Sequence, residues 1–266
     1  MSAARRRRSI MDSTDPHPPP TGSAPPPPGA GELLIELAGL TGGLAHEIRN
    51  PLSTLKVNLQ LLDEDWKKID EPDRPQHSDP QVVARRSRAR IATLLRETDR
   101  LERILEDFLR FVARPALRLA SCDLNEVVRD LVEFFRPQAE SSRIDLSVTY
   151  FGGPLVCRVD VNAMKQAILN LLINAQQAMA GGGALTLRLG KTPSGEARLD
   201  VSDSGPGIPP EHRAKIFDAY YSTKKGGTGL GLATTRRIVQ EHGGRLEVES
   251  PPGGGATLSI VLPAAG

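Results

Sequence analysis

Apolar side chains recur every three or four positions over residues 33–62, and this spacing constrains the fold more than any other feature. It places them along one side of a long amphipathic helix, predicted over residues 32–69. A second run of the same period covers residues 83–112. Prolines and charges in residues 71–80 separate the runs, which predicts an antiparallel helical hairpin. Because two helices alone bury too little surface, the hairpin is expected to pair with a second copy into a four-helix bundle, as a homodimer.

His46 lies off the apolar face of the first predicted helix. At about 100° per residue it is roughly 200° from the apolar residues two positions away on either side, so it projects away from them. Glu47 is its neighbour, and Asn50 lies one turn further along the same face. Pro51 cannot donate its amide to the helix ladder, which predicts a kink or a loosened turn there. A lone exposed histidine is usually just solvated, but this combination favours a functional site.

The first 31 residues have a composition typical of disorder. Residues 16–31 contain eight prolines and three glycines, so too little apolar surface is available to offset the entropy of ordering. Either a plain tail or a proline-rich docking motif fits this composition, and the plain tail is favoured. The net charge of the chain is only +2, and the tail carries all of it. A neutral body argues against nucleic acid as the main partner.

Cysteine content and hydropathy indicate the compartment. Two cysteines are too few for a disulfide framework and suit a reducing cytoplasm. No apolar run reaches the roughly 18 residues needed to span a bilayer, so membrane insertion is not expected. The arginines at residues 5–8 precede no apolar core, so they do not form a secretion signal. A cytoplasmic protein is predicted, and since no sensory domain precedes the first helix, its input stays open.

From Cys122 onward the periodicity changes, and helices alternate with strands. Helices are predicted from Asp123 to Phe135, over residues 160–179 and over residues 228–241. The predicted strands cover residues 144–150, 155–159, 184–189, 197–201, 246–249 and 257–262. This order predicts an α+β sandwich in which helices pack on one face of a mixed sheet.

Two asparagines and one aspartate in this second region are candidate ligand-binding residues. Asn170 and Asn174 stand one turn apart on the helix of residues 160–179, and buried amides need partners. An oxygen-liganded Mg²⁺ held by Asn174 would satisfy that need. Asp203 follows a strand, and Gly205 and Gly207 after it allow the backbone to approach a ligand. A carboxylate there can accept hydrogen bonds from an exocyclic amine.

A third candidate is a glycine-rich segment that opens a helix. It comprises Gly227, Thr228, Gly229, Leu230 and Gly231. Its amides and the positive end of the helix dipole would face a phosphate group. Alone, a glycine-rich turn is most often a tight loop, and paired asparagines are often a polar helix face. The order and spacing of these motifs together favour a nucleotide site.

These motifs resemble those of two-component sensor histidine kinases, from about residue 32 to the end of the chain. Residues 46–52 resemble the phosphoacceptor box, in a form similar to that of soluble nitrogen-regulation kinases. Residues 170–175 resemble the N box, and residues 203–208 resemble the first glycine box. Phe217 resembles the F box, and residues 227–232 resemble the second glycine box. Residues 254–257 resemble the family's last glycine-rich strand entry.

The resemblance implies three segments and a fold. Residues 1–31 would be the tail, residues 32–115 the dimerisation and histidine-phosphotransfer hairpin, and residues 116–266 an ATP-binding domain of the Bergerat fold. Residues 209–226 would form a lid over the nucleotide. Two departures from the family pattern are Gln177, where many members have lysine, and the sequence Ala-Tyr-Tyr at residues 219–221 in place of Pro-Phe-Phe.

The resemblance also implies an activity. His46 would be phosphorylated from ATP and would pass the phosphoryl group to an aspartate in the receiver domain of a response regulator. Glu47 would act as general base or orienting group, and Asn50 would hold a water for a reverse phosphatase reaction. Mg²⁺ on Asn174, the amides near Gly229 and Lys224 in the lid would stabilise the transferred charge.

Two alternatives remain. One is another ATPase with this nucleotide fold, of the gyrase, mismatch-repair or heat-shock chaperone type, although those families lack such a hairpin before the ATP domain. The other is a non-catalytic interaction module, in which the dimeric bundle docks a regulator and nucleotide only stabilises it.

Overall fold

The computed structural model describes residues 30–70, 80–113, 116–224 and 227–264. The chain divides into two compact units, residues 1–39 and residues 40–266. Of the first unit, only the helical backbone of residues 30–39 is described. The predicted tail, apart from residues 30 and 31, and the predicted turn, apart from Pro80, therefore lie outside the described residues. Residues 30 and 31 belong to the first helix instead of the tail, because alanine favours helix and no proline lies between Ala30 and the apolar pattern that begins at Leu33.

Two long helices form the hairpin, α1 (Ala30–Asp70) and α2 (Pro80–Val112). Arg90 donates to the carboxylate of Asp65, and Arg100 donates to the carboxylate of Glu47 at 3.2 Å. Partners that come earlier in α1 lie later in α2, so the two helices run antiparallel as predicted. α1 is helical through Pro51, and the kink or loosened turn expected there stays a prediction.

Several large apolar residues of the hairpin remain exposed in the single chain. Leu59 is 55% exposed and Leu95 is 61% exposed, although both lie on amphipathic helices. The other exposed large apolar side chains of α1 and α2 are Leu52, Val57, Leu61, Trp66, Ile91, Leu105, Leu109 and Val112. Among the helices described, none combines the length and apolar character that a membrane crossing requires.

The rest of the chain forms an α+β sandwich. Its helices are α3 (Leu124–Ser141), α4 (Val161–Ala178), the short α5 (Pro210–Arg213) and α6 (Gly231–Glu241). Its strands are β1 (Ala120–Asp123), β2 (Ile144–Thr149), β3 (Val156–Val159), β4 (Gly183–Lys191), β5 (Ala197–Asp203), β6 (Arg245–Glu249) and β7 (Ala256–Leu262). The main sheet has the order β2-β4-β5-β7-β6, and only β2 and β4 run parallel. The predicted mixed sheet is confirmed.

One apolar core lies between this sheet and the helices α3, α4 and α6. Alternate residues of β4, such as Leu185 and Leu187, are fully buried, as expected for a strand with one face against helices. They share the core with Phe135 of α3 and Leu171 of α4, which are also fully buried. The apolar side of α4 thus packs against the main sheet, and the polar side of α4 faces away from this core.

The structure differs from the sequence prediction at β1, α3 and α6. β1 pairs with β3 in a separate two-stranded sheet, which the pattern missed because its four residues show no apolar alternation. α3 continues through Pro137 to Ser141, six residues beyond the predicted end. α6 begins at Gly231 and not at Thr228, because Gly229 has a positive φ of 68° that a helix does not allow.

Candidate nucleotide site

An open cavity of about 620 Å³ lies over α4, between the loop after β5 and the segment that leads into α6. Most of the residues predicted to bind nucleotide line this cavity: Asn170, Asn174, Asp203, Gly207, Lys224, Gly227, Thr228, Gly229 and Gly231. Gly205 and Leu230 are not lining residues. The side chain of Leu230 is buried in the protein, and the amide of Gly205 serves the carboxylate of Asp203.

Asp203 ends β5, with its carboxylate at the cavity. Its Oδ1 accepts the amide hydrogen of Gly205 at 2.9 Å, and a Cβ at residue 205 would lie only 2.8 Å from that oxygen. Burial raises the pKa of Asp203, while the backbone amides of Gly205 and Ala256 and the charge of Lys224 act in the opposite direction. A half-buried carboxylate held in a fixed orientation can accept hydrogen bonds from an amine with high directionality.

Asn170 and Asn174 face the cavity from one side of α4, as their spacing predicts. The Nδ2 of Asn170 donates to the carbonyl of Gly231 at 3.1 Å, so it connects α4 to the start of α6. Asn174 is contacted by Lys224, whose Nζ donates to Oδ1 at 2.6 Å and to the backbone carbonyl at 3.0 Å. The Oε1 of Gln177 lies 3.5 Å from the same ammonium.

Three oxygen atoms of α4 therefore converge on one positive charge. Burial lowers the pKa of Lys224, and the negative charge of Asp203 partly offsets that effect. Amide and carbonyl oxygens are ligands that suit Mg²⁺, which also keeps waters and phosphate oxygens in its shell. The donor set around Asn174 fits such an ion, and the ammonium of Lys224 shows that this position attracts a cation. Lys224 contacts α4 here and was expected to act on phosphate.

The segment before α6 lines the cavity with residues 227–229, and Gly231 at the start of the helix lines it as well. Within the described residues no side chain caps the first turn of α6, so its amides are available to an anion. Gly229 has a positive φ of 68°, and a Cβ there would lie 2.5 Å from the carbonyl carbon of Tyr220. Glycine is therefore required at this position by both conformation and space.

Tyr220, in the predicted lid of residues 209–226, contacts α1, and sequence reasoning missed this contact. Its φ is +63°, a conformation that costs about 1 kcal/mol or more for a residue other than glycine. The ring lies on the backbone of Gly43, where a Cβ would be 2.4 Å from its Cδ2 atom. Burial, and secondarily the charge of Glu47, raises the pKa of Tyr220 to about 12. The unusual Tyr-Tyr pair at residues 220–221 was the available signal.

The second tyrosine of that pair stays within the lid. The hydroxyl of Tyr221 is 2.6 Å from the Nδ1 of His212, and both residues line the cavity. The two tyrosines thus contact different elements: Tyr221 contacts α5 and Tyr220 contacts α1. Residues 225 and 226 of the predicted lid lie outside the described residues.

His46 is exposed on α1, three residues after Gly43, and Asn50 is exposed one turn further along. Glu47 is half-buried and paired with Arg100 of α2. Of the described residues that line the cavity, none is His46, Glu47 or Asn50. The structure therefore brings the predicted nucleotide-binding residues together, whereas the candidate acceptor His46 lies outside the cavity, on the hairpin. Arg100 connects the two places, because it lines the cavity and also contacts Glu47.

Comparisons with known proteins give the family. The profile of the histidine kinase A phosphoacceptor domain matches residues 36–117, and that of the histidine kinase-, DNA gyrase B- and HSP90-like ATPases matches residues 159–266. A solved catalytic domain of the histidine kinase ThkA is 31% identical, with 95% of its chain covered, 55% of this chain covered and a TM-score of 0.51. The chain belongs to the two-component sensor histidine kinases. The predicted family and fold class are confirmed.

Longer relatives extend this match over the hairpin. The sensor histidine kinase ZraS of Klebsiella oxytoca is 37% identical over 237 residues, which are 88% of this chain and 48% of the relative. The structure of ThkA in complex with the response regulator protein TrrA covers 88% of this chain and 64% of that chain, with a TM-score of 0.68 and 26% identity.

The chain spans about half the length of the curated relatives it matches. As a member of this family, it has an ATPase-type domain, and the match implies ATP binding by that domain. The finer likeness to nitrogen-regulation kinases stays a prediction.

Proposed function

We propose that this histidine kinase phosphorylates His46 from ATP and transfers the phosphoryl group to an aspartate of a response regulator. The observation that carries the proposal is the placement of Asn174, Asp203 and Thr228 around one cavity, while His46 is exposed on the helical hairpin of the same chain. Residues 32–115 serve as the dimerisation and phosphotransfer hairpin, and residues 116–266 serve as the ATP-binding domain.

Each part of the nucleotide has a proposed partner in the cavity. Asp203 accepts from the exocyclic amine of adenine, which selects ATP over GTP. The amides of Gly229 and Gly231 at the start of α6 bind phosphate oxygens. Asn174 would hold Mg²⁺, which would supply positive charge beside the phosphate oxygens, and Lys224 would then give up its hydrogen bond to the Oδ1 of Asn174. Asn170 keeps α4 and α6 at a fixed separation through Gly231.

Phosphoryl transfer needs positioning more than covalent assistance, because its transition state is loose and spreads charge over the oxygens. One imidazole nitrogen of His46 forms the bond to phosphorus, the bond to the ADP oxygen breaks, and the other nitrogen carries the proton. Glu47 accepts a hydrogen bond from that N–H and stabilises the developing positive charge. Arg100 contacts only Oε2 of Glu47, so Oε1 stays available for the imidazole.

The partners proposed for this chain are a second copy of itself and a receiver domain. A homodimer would cover the exposed apolar residues of α1 and α2, among them Leu59 and Leu95. The crystal structure of ThkA in complex with the response regulator protein TrrA supports a receiver domain as the second partner. The proposed location is the cytoplasm, with no nucleic acid partner.

We test the kinase step with γ-labelled ATP. The wild-type chain should acquire label that is stable in base and labile in acid, and His46→Gln should acquire none. His77→Gln serves as the control, because it removes a histidine that belongs to none of the motifs, and this variant should still be labelled at His46. Full labelling of His46→Gln contradicts the proposal. ATP binding without any label in the wild type indicates the non-catalytic module instead.

A reverse phosphatase activity is also proposed, because Asn50 is exposed one turn beyond His46 and its amide can orient a water towards a phosphoaspartate. Asn50→Ala should lower the rate of regulator dephosphorylation by about tenfold or more and leave autophosphorylation unchanged. Asn58→Ala is the matched control, since Asn58 lies two turns further along α1 and its amide bonds to Thr54. Equal phosphatase rates for Asn50→Ala and wild type contradict this role.

A further inference from the structure

Helix α2 of the hairpin places a carboxylate on the glycine-rich segment before α6. The Oδ2 of Asp107 accepts a hydrogen bond from the hydroxyl of Thr228 at 2.8 Å, and both residues line the cavity. The same hydroxyl oxygen lies 3.4 Å from the amide nitrogen of Leu230, which donates to it. The hydroxyl of Thr228 thus links the acidic residue of α2 to the backbone at the start of α6.

This segment favours an anion for two independent reasons. It precedes a helix of 11 residues whose first amides have no side-chain cap among the described residues, and the helix dipole is positive there. It also offers the donor hydroxyl of Thr228. In the structure, the anion that uses this hydroxyl is the carboxylate of Asp107. The phosphate groups of a nucleotide carry the same sign of charge and the same type of acceptor oxygen.

We propose that Asp107 competes with the phosphates of the nucleotide for the segment before α6, and so sets the affinity of the site according to the number of phosphates. The inference rests on the nucleotide site proposed above. Two anions that need the same donor repel each other, so nucleotide binding and the docking of Asp107 disfavour each other. Nucleotide must displace the carboxylate. The apparent affinity of the nucleotide is therefore its intrinsic affinity multiplied by the fraction of chains in which the site is open.

A second contact holds Asp107 in place. The guanidinium of Arg237 in α6 lies 4.5 Å from the centre of the Phe111 ring and donates to the backbone carbonyl of Phe111, one turn beyond Asp107. This contact keeps the end of α2 against α6 independently of Thr228. Asp107 is therefore tethered close to the segment, and a tethered competitor acts at a high effective concentration.

A second acidic residue of α2 provides a matched comparison. Glu102 is exposed on α2 and does not line the cavity. Glu106 is unsuitable for this purpose, because it lines the cavity and pairs at 3.2 Å with Arg110, which also lines it. Removing the charge of Glu102 alters the net charge of α2 as much as removing that of Asp107, without changing the cavity wall.

The test measures equilibrium binding of a non-hydrolysable ATP analogue, ADP and adenosine to the full chain by calorimetry. Asp107→Asn should bind the ATP analogue about threefold to thirtyfold more tightly than wild type, ADP by a smaller factor, and adenosine with unchanged affinity. Asp107→Ala should show the same order of effects, and Glu102→Gln should bind all three ligands like wild type.

Three results count against the proposal, and they can be told apart. If wild type binds the ATP analogue, and Asp107→Asn and Asp107→Ala bind it no more tightly, the competition is wrong and the nucleotide site stands. If wild type and both variants fail to bind any of the three ligands, the proposed nucleotide site itself is wrong. An equal gain for adenosine and the ATP analogue also contradicts competition with phosphate, because adenosine has none.

Discussion

The helical hairpin and the ATP-binding region differ in how far their large apolar residues are buried. In the ATP-binding region, Phe135 and Leu171 are fully buried between the sheet and its helices. In the hairpin, Leu59 and Leu95 are more than half exposed. The difference shows that one region completes its core within a single chain, while the other leaves an apolar face that a further surface must cover.

The exposed residues of the hairpin are not scattered. Leu52, Leu59 and Trp66 in α1 are seven residues apart, which is the repeat of helices that pack along a shared seam. The sequence pattern placed Leu52 and Leu59 on the apolar side of the first helix. A dimeric bundle would give this face a partner, and the single-chain structure identifies its residues.

The largest effect is expected from the core of the ATP-binding region. Phe135→Ala should lower the free energy of unfolding of that region by about 3–5 kcal/mol, because it removes a fully buried ring and leaves a cavity. Urea unfolding followed by circular dichroism measures this change. Phe134→Ala is the matched control, since Phe134 is 71% exposed and its loss should cost no more than about 0.5 kcal/mol. Equal losses for both variants would contradict a core that the ATP-binding region completes within a single chain.

The second effect is expected in the hairpin. Leu59→Asp should weaken self-association by about a hundredfold or more, because a charge would be buried in the proposed interface. Sedimentation across a range of protein concentrations measures the dimer constant. Gln60→Asp adds the same charge one position away on the exposed surface of α1 and should leave it unchanged. A wild-type chain that stays monomeric at micromolar concentration contradicts the dimer.

The third prediction concerns the helix that carries Asn170 and Asn174. Asp160 caps α4 through the amides of residues 162 and 163, and the backbone amide of Arg118 contributes most to lowering its pKa. Asp160→Ala should cost about 1 kcal/mol of stability near neutral pH. Because the folded-state pKa lies below the unfolded value, this contribution is present above the unfolded pKa and is lost as pH falls through the folded pKa.

The difference between wild type and Asp160→Ala should therefore shrink on acidification. Urea midpoints at about pH 7 and about pH 3 measure it. Glu140→Ala, at an exposed position of α3, provides the comparison, and it should show no such pH-dependent loss. A difference that is the same at both pH values would falsify the capping role of the carboxylate.

The smallest effect is expected where the two regions meet at Tyr220. Gly43→Ala places a Cβ 2.4 Å from the ring of Tyr220, so the ring must leave α1. Amide hydrogen exchange of residues 214–224 should rise by about threefold or more. In Gly42→Ala nothing lies within 4 Å of the new Cβ, so exchange in the lid should stay at the wild-type rate. Equal exchange in both variants contradicts this contact.

Much of the fold and of the candidate site could be predicted from local pattern. The change from a helical period to alternating helices and strands separated the hairpin from the sandwich, because each period reports which face of an element is buried. The spacing of Asn170 and Asn174 placed both on one side of α4, and the structure has both at the cavity. Pattern failed at β1, whose four residues are too short to show alternation.

The contacts between distant elements could not be predicted in this way. Arg100 with Glu47, Tyr220 on Gly43 and Asp107 with Thr228 each join residues far apart in the chain. Nothing in the local pattern of α2 distinguishes Asp107 from Glu106, because both are acidic residues on the same polar surface. Only the packing of α2 against α6 gives one of them a partner across the cavity.

The sequence alone determined the family resemblance, the order of elements and the residue types at the proposed nucleotide site, because motifs and periodicity are local properties. The tertiary structure decided which charged groups meet: Lys224 with the oxygens of Asn174, and Asp107 with the hydroxyl of Thr228. A hydrogen bond depends on a distance of about 3 Å between atoms, and for residues far apart in sequence only the folded chain sets that distance.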